Sequence, residues 1–174
     1  AQPPAATEAP AVATEAPKPT EPPKPTFLRG GTIKAASRVD RADHPARFSL
    51  VSQSHVWRHV FEYLTYIDPQ GVSHPYLLES WEASDDLLTW TLKLRQDVKW
   101  NDGSQFTADD VMFNFSQWLD DAVGSSLKGG MPYLDPNGFT KQDDYTIVCK
   151  LKEPNIIFPE HLAQYQAEIV KNGF

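Results

Sequence analysis

The chain has 174 residues, with 23 acidic against 16 basic side chains and a net charge of -7, a length that suits one domain and is marginal for two. The acidic balance argues against a nucleic-acid-binding surface, which needs basic groups to displace phosphate counterions. No apolar run approaches the ~20 residues that a membrane-spanning helix requires, and the single cysteine, Cys149, excludes an intrachain disulfide.

Eight of the 15 prolines fall in residues 1–26, where the unit Ala-Thr-Glu-Ala-Pro occurs twice, at 6–10 and 13–17. This tract has almost nothing to bury, and its prolines block helix and sheet pairing. It reads as a disordered, semi-extended tether spanning at most about 80 Å at ~3.1 Å per residue. Residues 27–174 carry every aromatic side chain and read as globular.

Gly30-Gly31 opens that part, and Thr32 to Ala36 predicts a strand. Val56, Val60, Phe61 and Leu64 recur at helical spacing. They predict a helix from Ser54, with Ser52 or Ser54 as its cap. Leu64 to Ile67, the turn Asp68-Pro69-Gln70-Gly71 and a short return strand at Val72 to Tyr76 follow. Trp81 and Ala83 alternate with polar neighbours, as do Trp90, Leu92 and Leu94 after the Asp85-Asp86 turn, which is half-buried strand patterning. Asn101-Asp102-Gly103 is a tight turn. Thr107 with Asp110 resembles a capping box for a helix whose apolar face is Val111, Phe115, Trp118 and Leu119. Residues 120–144 are polar and predict a long loop. Ile147, Cys149 and Leu151 predict another strand with Cys149 facing inward as an inert thiol. Phe158-Pro159 begins a final predicted helix with Leu162, Tyr165, Ile169 and Val170 inward and Asn172-Gly173 as its stop. Strands and helices intermix, so the fold class is α/β or mixed α+β.

His55 and His59 stand at i, i+4 spacing, suited to a metal pair, but the sequence His-Val-Trp-Arg-His lacks a glutamate and a third ligand. They read as surface histidines, and no metal or cofactor is expected. The pairs Asp85-Asp86, Asp109-Asp110, Asp120-Asp121 and Asp143-Asp144 sit at turns or helix ends, where aspartate serves the backbone. There is no nucleophile elbow, phosphate loop or dinucleotide fingerprint, so no catalytic residues are assigned. Flat aromatic faces with a few polar groups are common in ligand clefts. Trp81, Trp90 and Trp118 fall on core faces, which leaves Trp57, Trp100, Tyr76 and Tyr133 as the freer aromatics.

From Gly30 onward the segments resemble, in order and spacing, the extracytoplasmic solute-binding proteins of family 5, the dipeptide- and oligopeptide-binding proteins of ABC importers. Gly30-Gly31-Thr32-Ile33 resembles the family's opening strand. Phe61-Glu62-Tyr63-Leu64 resembles the end of its first helix, and Leu78 to Asp86 is similar to its "AeSWevSdD" run. Thr89 to Trp100, then Asn101-Asp102-Gly103 and Phe106 to Val111, resemble its strand, Asp-Gly turn and capped helix. These residues are framework devices, so they speak for a fold more than for a ligand.

The resemblance implies an incomplete periplasmic-binding-protein-like lobe of type II. Residues 27–174 would be the N-terminal part of lobe I with its adjoining subdomain, and most of the cleft would lie beyond Phe174. It implies a non-catalytic, monomeric protein, periplasmic or at the cell surface, that captures a small peptide or other polar solute and docks on ABC permease subunits. The tether fits an N-terminal lipid anchor whose cysteine is not among these residues. Ligand contacts map to Ser37, Arg38 and Val39 and to Ser52, Gln53, Ser54 and His55, with Tyr133 added from the freer aromatics. Oligosaccharides, opines or nickel complexes are alternative ligands on the same framework. A sensory ligand-binding module and a glycoside hydrolase are the rival classes.

Overall fold

A computed structural model describes residues 30–36 and 44–174. Of these, residues 30–35 belong to one unit, and residue 36 with residues 44–174 to another. Residues 30–36 are exposed and hold no regular element, so the predicted strand at Thr32 is not formed.

The period-two runs form one antiparallel sheet. β3 (Leu78–Ala83), β4 (Thr89–Leu94), β5 (Leu134–Asp143) and β6 (Thr146–Leu151) stand in the order β3-β4-β6-β5. Trp90 lies opposite Cys149 and Leu92 opposite Ile147. Alternation therefore turns Trp90, Leu92, Leu94, Ile147, Cys149 and Leu151 to one buried face. The α+β half of the expectation is the one realised, since every strand pairing is antiparallel.

α2 (Ala108–Leu119) covers that face. Its capping box is present, with the Thr107 N–H donating to Asp110 Oδ2 at 2.9 Å. Val111, Phe115, Trp118 and Leu119 are all buried. Phe115 meets Phe139 of β5 at a ring separation of 4.5 Å.

Three expectations change. The predicted loop 120–144 contains α3 (Ser126–Gly130) and β5. Pro136 and Gly138 disguise β5, and edge strands tolerate both at a register irregularity; the register shifts between Leu134 and Phe139. The first helix, α1, runs from Val51 to Trp57 rather than onward from Ser54. Its start is held by Gln53, whose Oε1 accepts from the Ser49 and Leu50 N–H groups at 2.9 and 3.0 Å. Val56 and Val60, half of the predicted apolar face, are exposed. The last helix, α4 (Phe158–His161), is a single turn. Leu162, Ile169 and Val170 are buried as expected, but from an irregular path in which Ile169 bridges Glu62. Gly173 stands at φ 87° in a turn, not as a helix stop. Between α1 and the sheet, β1 (Thr65–Ile67) and β2 (Ser73–Pro75) form a two-stranded hairpin.

Candidate functional site

α1 carries four of the expected contact residues. Gln53 and Ser54 are buried. Gln53 holds the helix start, and Ser54 Oγ donates to the Val51 carbonyl at 3.2 Å while lying 3.4 Å from Arg58 Nη2. Both side chains therefore make contacts within the helix, and their expected role at a ligand stays an expectation. Ser52 is half-buried and His55 exposed. Ser37, Arg38 and Val39 lie outside the described residues. Tyr133, expected to be free, is 5% exposed. Its hydroxyl meets His161 Nδ1, and burial raises the phenol's pKa and lowers that of the imidazole. Tyr133 packs with Phe158 and His161, and does not join α1 in a common pocket.

His59 lies beyond the end of α1, so the two histidines do not share one helix face. Among the described residues no group of three or more His, Cys, Asp or Glu side chains is placed to hold a metal ion. Cys149 is buried, and burial pushes its thiol above the ordinary range.

Two of the other freer aromatics, Tyr76 and Trp100, border a cavity of about 510 Å³ beside the turn that follows α1. Its floor is apolar: Leu77, Phe106 and Ile169 are buried and Val98 half-buried. Its rim carries Arg58, His59, Lys99, Glu62 and Tyr76. The Tyr76 hydroxyl donates to Glu62 Oε1 at 3.1 Å. Trp100 closes one side; its indole N–H donates to Asp110 Oδ2 at 3.1 Å, which fixes the ring. Trp57 stacks on Phe61, 5.4 Å between centroids and 9° between planes.

Behind this rim sits a buried carboxyl. Glu168 is 1% exposed, accepts from the Tyr63 hydroxyl at 2.9 Å through Oε1, and its Oε2 has no partner. Burial pushes its pKa up to about 7, against the opposing pull of Tyr63 and Arg58. The Arg58 guanidinium lies 5.9 Å from the centre of the Tyr63 ring. Sequence reasoning passed over Arg58, Lys99 and Glu168. They belong to no motif, and only their meeting in space distinguishes them from other surface or helix charges.

The family model described as bacterial extracellular solute-binding proteins, family 5 Middle, matches residues 73–174. A probable peptide ABC transporter periplasmic-binding protein of Sinorhizobium fredii is 33% identical over 148 residues, covering 80% of this chain and 27% of that protein. Haemophilus influenzae OppA in complex with RPPGFSPFR aligns at a TM-score of 0.66 and 26% identity, over 72% of this chain and 28% of that one. NikZ from Campylobacter jejuni in complex with Ni(L-His) aligns at a TM-score of 0.65 and 27% identity, over 76% of this chain and 26% of that one. The chain spans about a quarter of the length of the curated relatives it matches. Among the described residues no helix is long and apolar enough to cross a membrane.

Proposed function

Because the chain belongs to the bacterial extracellular solute-binding proteins of family 5, we propose that it serves in the solute-capturing component of an ABC importer, with a short peptide as ligand. One observation carries this reading. The described framework follows that of a relative crystallised with RPPGFSPFR, at a TM-score of 0.66. In this reading the ligand's main chain pairs with protein backbone as an added strand, and water fills the space around its variable side chains. Ser37, Arg38, Val39, Ser52 and His55 border the cleft. Gln53 and Ser54 hold the helix that presents Ser52 and His55. The protein acts outside the cytoplasm as a monomer, tethered by residues 1–26 to a lipid anchor, and hands its ligand to permease subunits without chemistry of its own.

A nickel complex is the second reading, favoured by the similar TM-score of the structure with Ni(L-His). Uptake assays separate the two. Deleting the gene should abolish ATP-dependent accumulation of labelled short peptides and leave uptake of nickel–histidine and of opines intact. Unchanged peptide uptake, or selective loss of nickel uptake, would remove the peptide reading.

A further inference from the structure

Of the proposed cleft residues that are described, Ser52 and His55 do not line the cavity of about 510 Å³, whose rim begins at Arg58. Its size falls in the range of small-molecule pockets, about 300–1,000 Å³. Its chemistry runs against the rest of the molecule. In a chain of net charge -7, two permanent cations, Arg58 and Lys99, reach the same rim. Among the described residues neither forms an ion pair with a carboxylate; Lys150 and Lys152 form none either, but they do not line this cavity, and Lys93, Arg95, Lys128, Lys141 and Lys171 are paired. The one carboxylate on the rim, Glu62, accepts from the Tyr76 hydroxyl through Oε1 and makes no ion pair with Arg58 or Lys99 among the described residues. Arg58 is steadied by Ser54 and by the Tyr63 ring, so its planar fork loses little freedom when a ligand arrives. The same cavity is lined by the apolar side chains of Leu77, Val98, Phe106 and Ile169 and by the fixed ring of Trp100.

We propose that this cavity is an accessory binding site for a small carboxylate with an apolar body, the carboxylate held by Arg58 and Lys99 and the body resting on Leu77, Phe106 and Ile169. Guanidinium and ammonium donors to a carboxylate make the stronger class of hydrogen bond. The apolar floor supplies the burial that a bare inorganic anion does not use. The inference rests on the cavity alone and stands apart from the importer reading. Its carboxylate belongs either to a free organic acid or to the C-terminus of a short peptide with an apolar last residue.

Isothermal titration of the 174-residue chain tests it with four probes: phenylbutyrate, phenylbutyramide, the tripeptide Ala-Ala-Phe and that tripeptide's C-terminal amide. Phenylbutyrate should bind one saturable site, and phenylbutyramide about tenfold or more weaker. Arg58→Gln and Lys99→Gln should each weaken the acid by a similar factor, while Lys150→Gln, on an exposed part of β6, leaves it unchanged. Both rim side chains are outside the core, and a circular dichroism melt confirms folding. If Arg58→Gln loses its fold, Lys99→Gln decides alone. Tripeptide binding that is lost in its amide identifies a peptide C-terminus as the source, and binding of phenylbutyrate alone identifies free acids. Equal affinity for acid and amide, no saturable binding of the acid, or indifference to both rim variants overturns the proposal.

Discussion

Asp110 belongs to one of the acidic pairs that the sequence assigns to backbone duty, and its duty is wider than a helix cap. Oδ2 accepts from the Thr107 N–H and the Trp100 indole, and Oδ1 accepts from the Asn172 N–H at 2.9 Å. One 5%-exposed side chain therefore ties together the start of α2, the cavity wall and the C-terminal segment. Asp110→Ala strands three donors, and we expect a loss of about 2–4 kcal/mol in urea unfolding; a loss under about 1 kcal/mol would mean water replaces the carboxylate at no cost. Glu168 makes the opposite kind of prediction. Its carboxyl holds a proton up to about pH 7 in the folded chain, against an ordinary value of 4.5. Below 4.5 both folded and unfolded states are protonated, and this group's stabilisation is complete. Between about 4.5 and about 7 the unfolded chain ionises while the folded one does not, so stability falls as pH rises, by an amount on the order of 3 kcal/mol. Tyr63 and Arg58 are the titratable or charged groups that face it. Glu168→Gln cannot ionise, so the difference in urea midpoint between about pH 5 and about pH 8 should shrink relative to the unaltered chain. An identical difference in both proteins would assign the pH dependence to other groups.

At the level of elements, what was legible is what obeys a single period. β4 and α2 were visible because Trp90, Leu92 and Leu94, and then Val111, Phe115 and Trp118, each keep one face apolar over the whole element. β5 was hidden because its pattern is broken by Pro136 and Gly138. Gly138 is there for space: a Cβ would stand 2.2 Å from the Lys150 carbonyl oxygen of β6. Gly138→Ala must push the two strands apart, at a cost of about 1–3 kcal/mol. Gly129, in α3, has nothing within 4 Å of a built Cβ, so Gly129→Ala should gain about 0.4–1 kcal/mol by restricting the unfolded chain. Paired denaturant curves read both. Shifts of the same sign would contradict the steric account. The first helix misled for a different reason. Val56, Val60, Phe61 and Leu64 have helical spacing, but the chain leaves the helix after Trp57, and Phe61 is half-buried and Leu64 buried from the stretch between the following turn and the hairpin. Spacing records which residues go inward and not the backbone path that carries them there.

For the whole molecule, the family framework was legible because turns, caps and strand faces are local devices written in consecutive residues. The cavity was not, because Arg58, Lys99 and Ile169 come from segments far apart in the chain and meet only after folding. The same contrast between local and assembled parts sets where the fold is weakest. β4 and β6 are paired on both sides, and their inward side chains are fully or nearly fully buried. β1 and β2 pair only with each other, and Tyr66, Ile67 and Val72 remain exposed. A two-stranded ribbon has little stability of its own, and local opening follows the number of buried apolar contacts. Native-state hydrogen exchange should therefore rank the amides of Leu92, Ile147 and Cys149 slowest, near the global unfolding limit, with those of Tyr66 and Ile67 exchanging through a separate, lower-energy opening. The hairpin also carries the buried Thr65, whose hydroxyl donates to the Pro159 carbonyl at 2.6 Å and anchors its start. Exchange of Tyr66 as slow as that of Leu92 would mean this anchor couples the hairpin to the sheet as one cooperative unit, and the weak point of the fold would have to be sought elsewhere.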